Sequence, residues 1–320
     1  MGAARRPAGP YDGVVPSDTT IPGPDALRPI EDAAVAIARE GGALILDRFR
    51  STLNVEFKGG HKDDPVTEVD RAVEAQVLER VKRDFPDHAV LGEEGTNHGA
   101  AGADFVWAID PLDGTTNFIN GLGIFCCSIG VLWRGMPVVG AVFLPSGRHA
   151  AAGVYHARRG GGAFFEDEEF RFQVTSLPVG SRISSVPAGL TGVDGRRGRH
   201  QFGTARTLGS CAAELVLTAD GTFQVGVFHG LHIWDVAAGA ALCQEAGAAV
   251  WTRADRGGPW RPLEHLRGGP DRAPSLDELR GWNDWLAAGE PGLLPHLPRD
   301  LQRAQSPLAV ARRMIFGKGG

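Results

Sequence analysis

The chain has 320 residues, of which 42% are apolar and 22% charged. This is the balance of an ordinary globular protein with room for a large core or two joined layers. A net charge of −5 offers no basic face for nucleic acid, and no apolar run approaches the ~18 residues of a membrane span.

Residues 1–26 are rich in Pro, Gly and Ala without periodicity and read as a disordered leader. Arg6 stands where a myristoylation signal would have Ser or Thr, and no apolar segment follows Arg5 and Arg6 as in a secretory signal. The expectation is a cytoplasmic protein. From Leu27 to Phe49 apolar residues recur at helical spacing, with Gly41-Gly42 as a point of breakage. Residues 58–66 read as a polar loop. A second helix is predicted over Glu68–Arg83, with Val69, Val73, Val77 and Val81 on one face.

Short strands follow over residues 89–91, 105–109, 124–133 and 137–144. Val154-Tyr155 and Ala163–Phe165 are further strands about a Gly160-Gly161-Gly162 turn. The Glu166–Glu169 run reads as a solvated hairpin tip, because four successive acids on a strand cannot converge on one ion. Residues 189–203 form a Gly/Arg loop. Helices are predicted over Ser210–Ala219 and Asp235–Ala246, the latter stopped by Gly247, with a strand over Thr222–Phe228 between them. Val250-Trp251 reads as a strand. Residues 253–275 are loop-like, and 276–320 mix short helical pieces with Pro and Gly. The order of elements argues for one layered α/β or α+β unit over 27–320, with 253–320 as its atypical segment. Cys126, Cys127, Cys211 and Cys243 are expected to be reduced thiols.

Acids recur where strands end and helices begin: Asp64-Pro-Val-Thr-Glu-Val-Asp70, Gly92-Glu93-Glu94-Gly95, Asp110-Pro-Leu-Asp113 and Trp234-Asp235. Any one alone is a helix cap or a loop acid. Four such segments together are better explained by a shared site for hard divalent cations. Mg2+ takes carboxylate and carbonyl oxygens, and two or three such ions neutralise a doubly charged phosphate monoester. Gly114 frees the backbone after Asp113, and the helix start at Thr115-Thr116 offers N–H groups to a phosphate. No zinc pattern is present. His229 and His232 read as packed or surface residues within reach of a substrate.

At these residues the chain resembles the inositol monophosphatase family of lithium-sensitive sugar phosphatases. Trp107–Ile129 (WAIDPLDGTTNFINGLGIFCCSI) resembles its first signature and Trp234–Gly247 (WDVAAGAALCQEAG) its second. Asp64–Asp70 and Gly92–Glu94 are similar to its other acidic motifs. The resemblance implies an α/β/α/β/α layered fold, commonly a homodimer. It implies that Glu93, Asp110 and the Leu112 carbonyl hold one Mg2+, and that Asp110, Asp113 and Asp235 hold another. A third, weaker ion would lie near Glu93 and Asp70. Gly114 and Thr115 would bind the phosphate. Thr115 paired with Asp70 would orient a water that displaces the alcohol in line, without a phosphoenzyme. Asp64 and Lys58 match family positions near the metal loop, with Lys62 a competitor for the lysine.

The substrate side departs from the family. Many members have a Glu seven residues before the Asp of the second signature, where this chain has Phe228, which cannot accept a hydroxyl proton. Cys211 replaces a usual Ala beside Ser210 in the segment that resembles the substrate strand. Phe228, His229 and Ser210 are the expected neighbours of the alcohol. The expectation is a Mg2+-dependent phosphatase for a small phosphorylated metabolite, an inositol monophosphate or a related polyol or sugar phosphate. Phosphatases of histidinol phosphate or 3′-phosphoadenosine 5′-phosphate are the nearest rivals within the enzyme class, and a non-catalytic binding member of the fold is the rival outside it.

Overall fold

The computed structural model describes residues 21–51, 55–57, 65–100, 102–187, 190–191, 202–254, 258–297 and 302–303. Two mixed sheets and the helices packed on them form an α/β sandwich. The first sheet has eight strands in the order β10-β9-β8-β7-β6-β5-β3-β4. They are β3 (Ala89–Gly92), β4 (Asn97–His98), β5 (Phe105–Asp113), β6 (Cys126–Trp133), β7 (Met136–Leu144), β8 (Gly153–Arg158), β9 (Gly162–Phe165) and β10 (Glu168–Phe170). Within it β3 and β5 run parallel, and the other neighbours are antiparallel.

Helices α1 (Pro24–Arg48) and α2 (Glu68–Asp84) cover one face of this sheet. Ile30, Ala34, Ile37, Ile45, Val69, Val73, Val77 and Val81 pack there against Trp107, Ile129 and Val139. Helix α1 begins at Pro24, so residues 24–26 belong to it rather than to a leader. Proline suits that place because the first helical N–H has no partner to lose. The helix also runs unbroken through Gly41 and Gly42. A Cβ on Gly42 would lie 2.1 Å from the Phe143 ring, and one on Gly41 would lie 2.9 Å from Cys127 Sγ. These glycines bring the helix onto the sheet; they do not end it.

The second sheet has the order β13-β11-β14-β17-β15-β16. Its strands are β11 (Ile183–Ser185), β13 (Thr204–Arg206), β14 (Phe223–Phe228), β15 (Ala249–Arg253), β16 (Arg261–Pro262) and β17 (Trp285–Gly289). Helices α4 (Cys211–Ala219) and α5 (Ile233–Ala246) lie between the sheets, in the largest apolar cluster. Helix α5 fits there through small residues. A Cβ on Gly140 of β7 would lie 2.3 Å from Ala238 O, and one on Gly130 of β6 would lie 2.5 Å from Ala237 Cβ. The outer face of the second sheet carries Val186, Phe202, Val225, Val227, Leu294 and Leu297. Two short antiparallel pairs stand apart: β1 (Val55–Phe57) with β2 (Pro65–Thr67), and β12 (Leu190–Thr191) with β18 (Gln302–Arg303). Two short α-helices are also among the described residues, α3 (Thr115–Ile119) and α6 (Leu276–Arg280).

Strand β17 corrects the reading of 276–320 as short helical pieces. Trp285–Gly289 pairs with both β14 and β15. All of its residues are buried, so it shows no alternation, and its Leu-Ala-Ala core is helix-forming by propensity. Helices α2, α4 and α5 and strands β3, β5, β6, β7, β8, β9, β14 and β15 fall within a few residues of expectation, whereas β1, β4, β11, β12, β13, β16 and β18, of two or three residues each, have no counterpart among the predicted elements, and β2 begins inside the predicted 58–66 loop. Only Glu166 and Asp167 form the hairpin turn, since Glu168 and Glu169 already pair with β9 in β10, and Glu166 folds back to accept from Arg39 and from Val154 N. All four cysteines are free. Among the described residues no helix is long and apolar enough to cross a membrane.

Helix α1 is fastened to β8 through charge. Glu31, 3% exposed, accepts from His156 Nδ1 at 2.7 Å and from Arg158. His156 Nε2 lies 2.9 Å from the Glu166 carbonyl, so both ring nitrogens meet acceptors and the imidazolium fits. Burial pulls the His156 pKa down, but these hydrogen bonds overcome it and hold it above 6.5. Burial pushes Glu31 up, and His156 and Arg158 overcome that and hold it below 4.5. A raised histidine contributes stability fully below its unfolded pKa and loses it as pH rises through its folded pKa. The lowered Glu31 loses its contribution only as pH falls through its own folded value. From the ordinary histidine pKa of about 6.5 upward the histidine therefore governs. The melting-temperature gap between the parent and His156→Gln should narrow across that range, and a constant gap would mean that His156 is neutral throughout.

Candidate active site

Strand β5 builds the centre. Asp110 pairs with Ser128 and Asp113 with Cys126, so β5 spends three residues where β6 spends two. On a regular strand, residues three apart face opposite sides. The bulge removes one step from the alternation and turns both aspartates to one side. Pro111 suits the bulge because it has no N–H to give to the ladder. The Leu112 N–H donates to Asp110 Oδ1 at 3.1 Å. Gly114 then takes a left-handed conformation with φ 94°. A Cβ there would lie 2.9 Å from Ile124 O and 3.2 Å from Ser210 Cβ. Glycine thus meets both a conformational and a spatial demand before α3 begins.

Three other elements bring acids to this point. Gly92 pairs in parallel with Ile109, so Glu93 leaves its strand beside Asp110, and its N–H donates to Ile109 O at 3.1 Å. Asp70 lies in the first turn of α2 in a capping box. Its Oδ2 accepts from Thr67 N at 2.8 Å and from Thr67 Oγ1 at 2.5 Å. Asp235 does the same in α5, accepting from His232 N at 2.7 Å. Asp70 and Asp235 are thus helix caps and candidate site residues at once. Thr115 joins two of the segments: its hydroxyl donates to Leu112 O at 2.9 Å and stands 3.4 Å from Asp70 Oδ1.

The charges of these acids act on one another. Burial pushes the Asp110 carboxyl well above its usual range, and the charges of Glu93, Asp113 and Asp235 push it further. Asp235 is raised well above its usual value by burial and by Asp113, against the His232 N–H. Asp113 is raised by burial to about 6, although Ser210 and Ala212 donate to it. Burial also raises Asp70, with the charge of Glu93 added and the Thr67 bonds opposed. Asp110 lies close enough to Glu93 and Asp235 for their carboxyls to act on one another. Among the described residues no three His, Cys, Asp or Glu side chains converge closely enough to ligate an ion as they stand.

The donor set nevertheless fits a hard divalent cation. Its atoms are carboxylate and carbonyl oxygens, and mutual repulsion of buried anions is what such an ion relieves. Thiols do not compete. Burial and the nearby acids push Cys126 and Cys211 well above their ordinary range, so both stay protonated.

The profile of the inositol monophosphatase family matches residues 26–279. Phosphatase IMPL1, chloroplastic, of Arabidopsis thaliana is 35% identical over 235 residues, covering 69% of this chain and 61% of that protein. Inositol monophosphatase 2 of Solanum lycopersicum is 34% identical over 236 residues, covering 68% and 85%. The chain belongs to the inositol monophosphatase family. Membership makes it a phosphoric monoester hydrolase. The IMPase structure of Thermotoga maritima superposes with a TM-score of 0.63 at 27% identity, covering 83% of this chain and 93% of that one. The suppressor protein suhB of Bartonella henselae gives 0.65 at 25%, covering 87% and 100%.

Not every residue singled out for this family's chemistry stands at the acids. Lys58, Lys62 and Asp64 lie outside the described residues. Ser210 donates to Asp113 Oδ2 at 2.8 Å, so its hydroxyl is engaged by the acid. Phe228 is 4% exposed, and its ring folds over Gly226 beside Thr218. His229 is half-buried with its ring 4.6 Å from that of Trp285, and exposed His232 stacks on Trp234 at 4.7 Å.

Several supporting residues escaped the sequence reading. Glu74 accepts from Glu94 N and Thr96 N, at 2.9 and 3.0 Å, and so holds the Glu93 loop. Its signal was present: an acid on the apolar stripe of α2, one turn after Asp70. Asn117 donates to Ile124 O and to Leu208 O, at 2.7 and 2.8 Å. Glu214 accepts from Leu208 N and Gly209 N and shapes the approach to Ser210.

Proposed function

We propose that this chain is a Mg2+-dependent phosphatase that hydrolyses a small phosphate monoester, an inositol monophosphate or a related polyol or sugar phosphate. The observation that carries the reading is the bulge of β5, which turns Asp110 and Asp113 to one side within reach of Glu93 and Asp235. In this reading Glu93, Asp110 and the Leu112 carbonyl hold one ion. Asp110, Asp113 and Asp235 hold a second, and Asp70 with Glu93 borders a weaker third. Bound there, Mg2+ supplies charge neutralisation for the ester and a lowered pKa for the attacking water.

The chain's own groups do the rest. The N–H groups of Gly114 and Thr115 receive the phosphate at the start of α3, where first-turn N–H groups lack helical partners. Thr115 and Asp70 orient the water for in-line displacement of the alcohol. The alcohol is held weakly, because Phe228 offers no acceptor where a carboxylate would pair a ring hydroxyl. The names of relatives such as inositol monophosphatase 2 of tomato favour inositol phosphates among the candidates. A homodimer in the cytoplasm completes the proposal.

The test is phosphate release over a panel of monoesters, with and without Mg2+, that includes inositol 1-phosphate, histidinol phosphate and 3′-phosphoadenosine 5′-phosphate. Release that requires Mg2+ is expected, with broad rather than exclusive use of polyol phosphates. Mg2+ binding without turnover of any ester would make the chain a non-catalytic member of its fold.

A further inference from the structure

We propose that Arg280 is the positioning residue that keeps Glu93 and Asp235 in register for a divalent cation, an assignment that rests on the phosphatase reading above. It is the last residue of α6 and lies one position beyond the end of the family match at residue 279. Its Nη2 donates to Gly92 O and to Thr96 O, each at 3.2 Å. Its guanidinium carbon lies 5.3 Å from the centre of the Trp234 ring, one residue before Asp235.

Those two carbonyls bracket Glu93. The 92–96 turn closes on itself through Gly92 N and Thr96 O at 2.9 Å. On one side the Glu74 carboxylate takes the N–H groups of Glu94 and Thr96. The fit is tight, since a Cβ on Gly92 would lie 2.4 Å from that carboxylate. On the other side Arg280 takes the carbonyls. An anion on the N–H face and a cation on the C=O face oppose each other across the turn, and neither alone fixes its rotation. The Trp234 contact extends the hold to the start of α5. A planar guanidinium can bridge two carbonyls while lying against an indole, whereas a lysine ammonium is a point charge.

The base beneath Arg280 is firm. Ser275 caps α6 by accepting from Glu278 N at 3.2 Å, while Ser275 N donates to Glu278. Arg272 grips Glu278 with both terminal nitrogens at 2.8 Å. Leu279 is fully buried.

The test is calorimetric titration of the metal-free protein with Mg2+ alone, without any ester, for the parent, Arg280→Ala, Arg280→Lys and Arg272→Ala. Arg280→Ala should weaken Mg2+ binding about 10- to 100-fold, the usual cost of losing a group that orients metal ligands. Arg280→Lys should recover part of the loss. Arg272→Ala should bind as the parent does, although it loosens the same helix. Equal binding by the parent and Arg280→Ala overturns this assignment alone. So does an equal loss in Arg272→Ala, which would mean general loosening of the segment. A parent that takes up no Mg2+ overturns the phosphatase reading, and this assignment with it.

Discussion

Asp110→Asn should lower kcat/KM for phosphate release by about 10³-fold or more, at the upper end for a group that stabilises transition-state charge. The same change should leave the metal-free protein at least as stable as the parent. Asp110 is 2% exposed, and burial and the charges of Glu93, Asp113 and Asp235 all act against its ionised form. Asparagine keeps the shape and the Oδ1 that accepts from Leu112 N, and it removes one of the repelling charges. The parent, by contrast, is stabilised by whatever binds its folded form alone. At a Mg2+ concentration near 100 times the dissociation constant this linkage is worth about 2.7 kcal/mol. Melting curves should therefore cross: the variant matches or exceeds the parent without Mg2+ and falls below it with Mg2+. Activity within tenfold of the parent would remove Asp110 from the site. A variant that simply unfolds would mean that the acid serves the fold rather than the chemistry.

That trade between charge and fold explains which parts of the site were legible in the sequence. Acids at strand ends and helix starts stand out because two residues of spacing and one glycine already imply their geometry. The groups that aim them do not stand out. Ser210 reaches Asp113 across 97 positions, Asn117 reaches Leu208 across 91, and Arg280 reaches Gly92 across 188. No local pattern encodes such meetings. Local rules also misled where packing overrode them. Gly41-Gly42 reads as a helix stop by propensity, yet it is the place where α1 meets Phe143 and Cys127. Trp285–Gly289 lies in a segment that reads as short helical pieces with Pro and Gly, yet it is an interior strand whose two buried faces erase the period that reveals strands. The bulge between Asp110 and Asp113 has one local sign, a proline inside a strand, but only the pairing with β6 shows that it turns two opposed acids to one side.

Glu214→Ala should be among the most damaging changes outside the acids themselves, with a loss of about 2–4 kcal/mol of stability. Glu214 is 6% exposed in α4. It accepts from Leu208 N at 2.8 Å and from Gly209 N at 3.0 Å through one oxygen, and from the Ser185 hydroxyl through the other. Truncation strands these donors, and water can reach only the exposed Gly209 readily. The damage should extend to catalysis, because the same loop delivers Ser210 Oγ and Ala212 N onto Asp113. A fall in kcat/KM of about 10- to 100-fold is expected, as for other groups that orient metal ligands. Glu214→Gln separates the causes. Its amide oxygen keeps both backbone donors, and the Ser185 hydroxyl can rotate to accept from the new NH2 group. Burial already pushes the Glu214 carboxyl upward against these bonds, so removing its charge costs little. Thermal unfolding and phosphate release should both rank parent, then Gln, then Ala, with Gln close to the parent. If Gln and Ala lost stability and activity equally, the charge of Glu214 rather than its hydrogen bonds would be what holds the loop against Asp113.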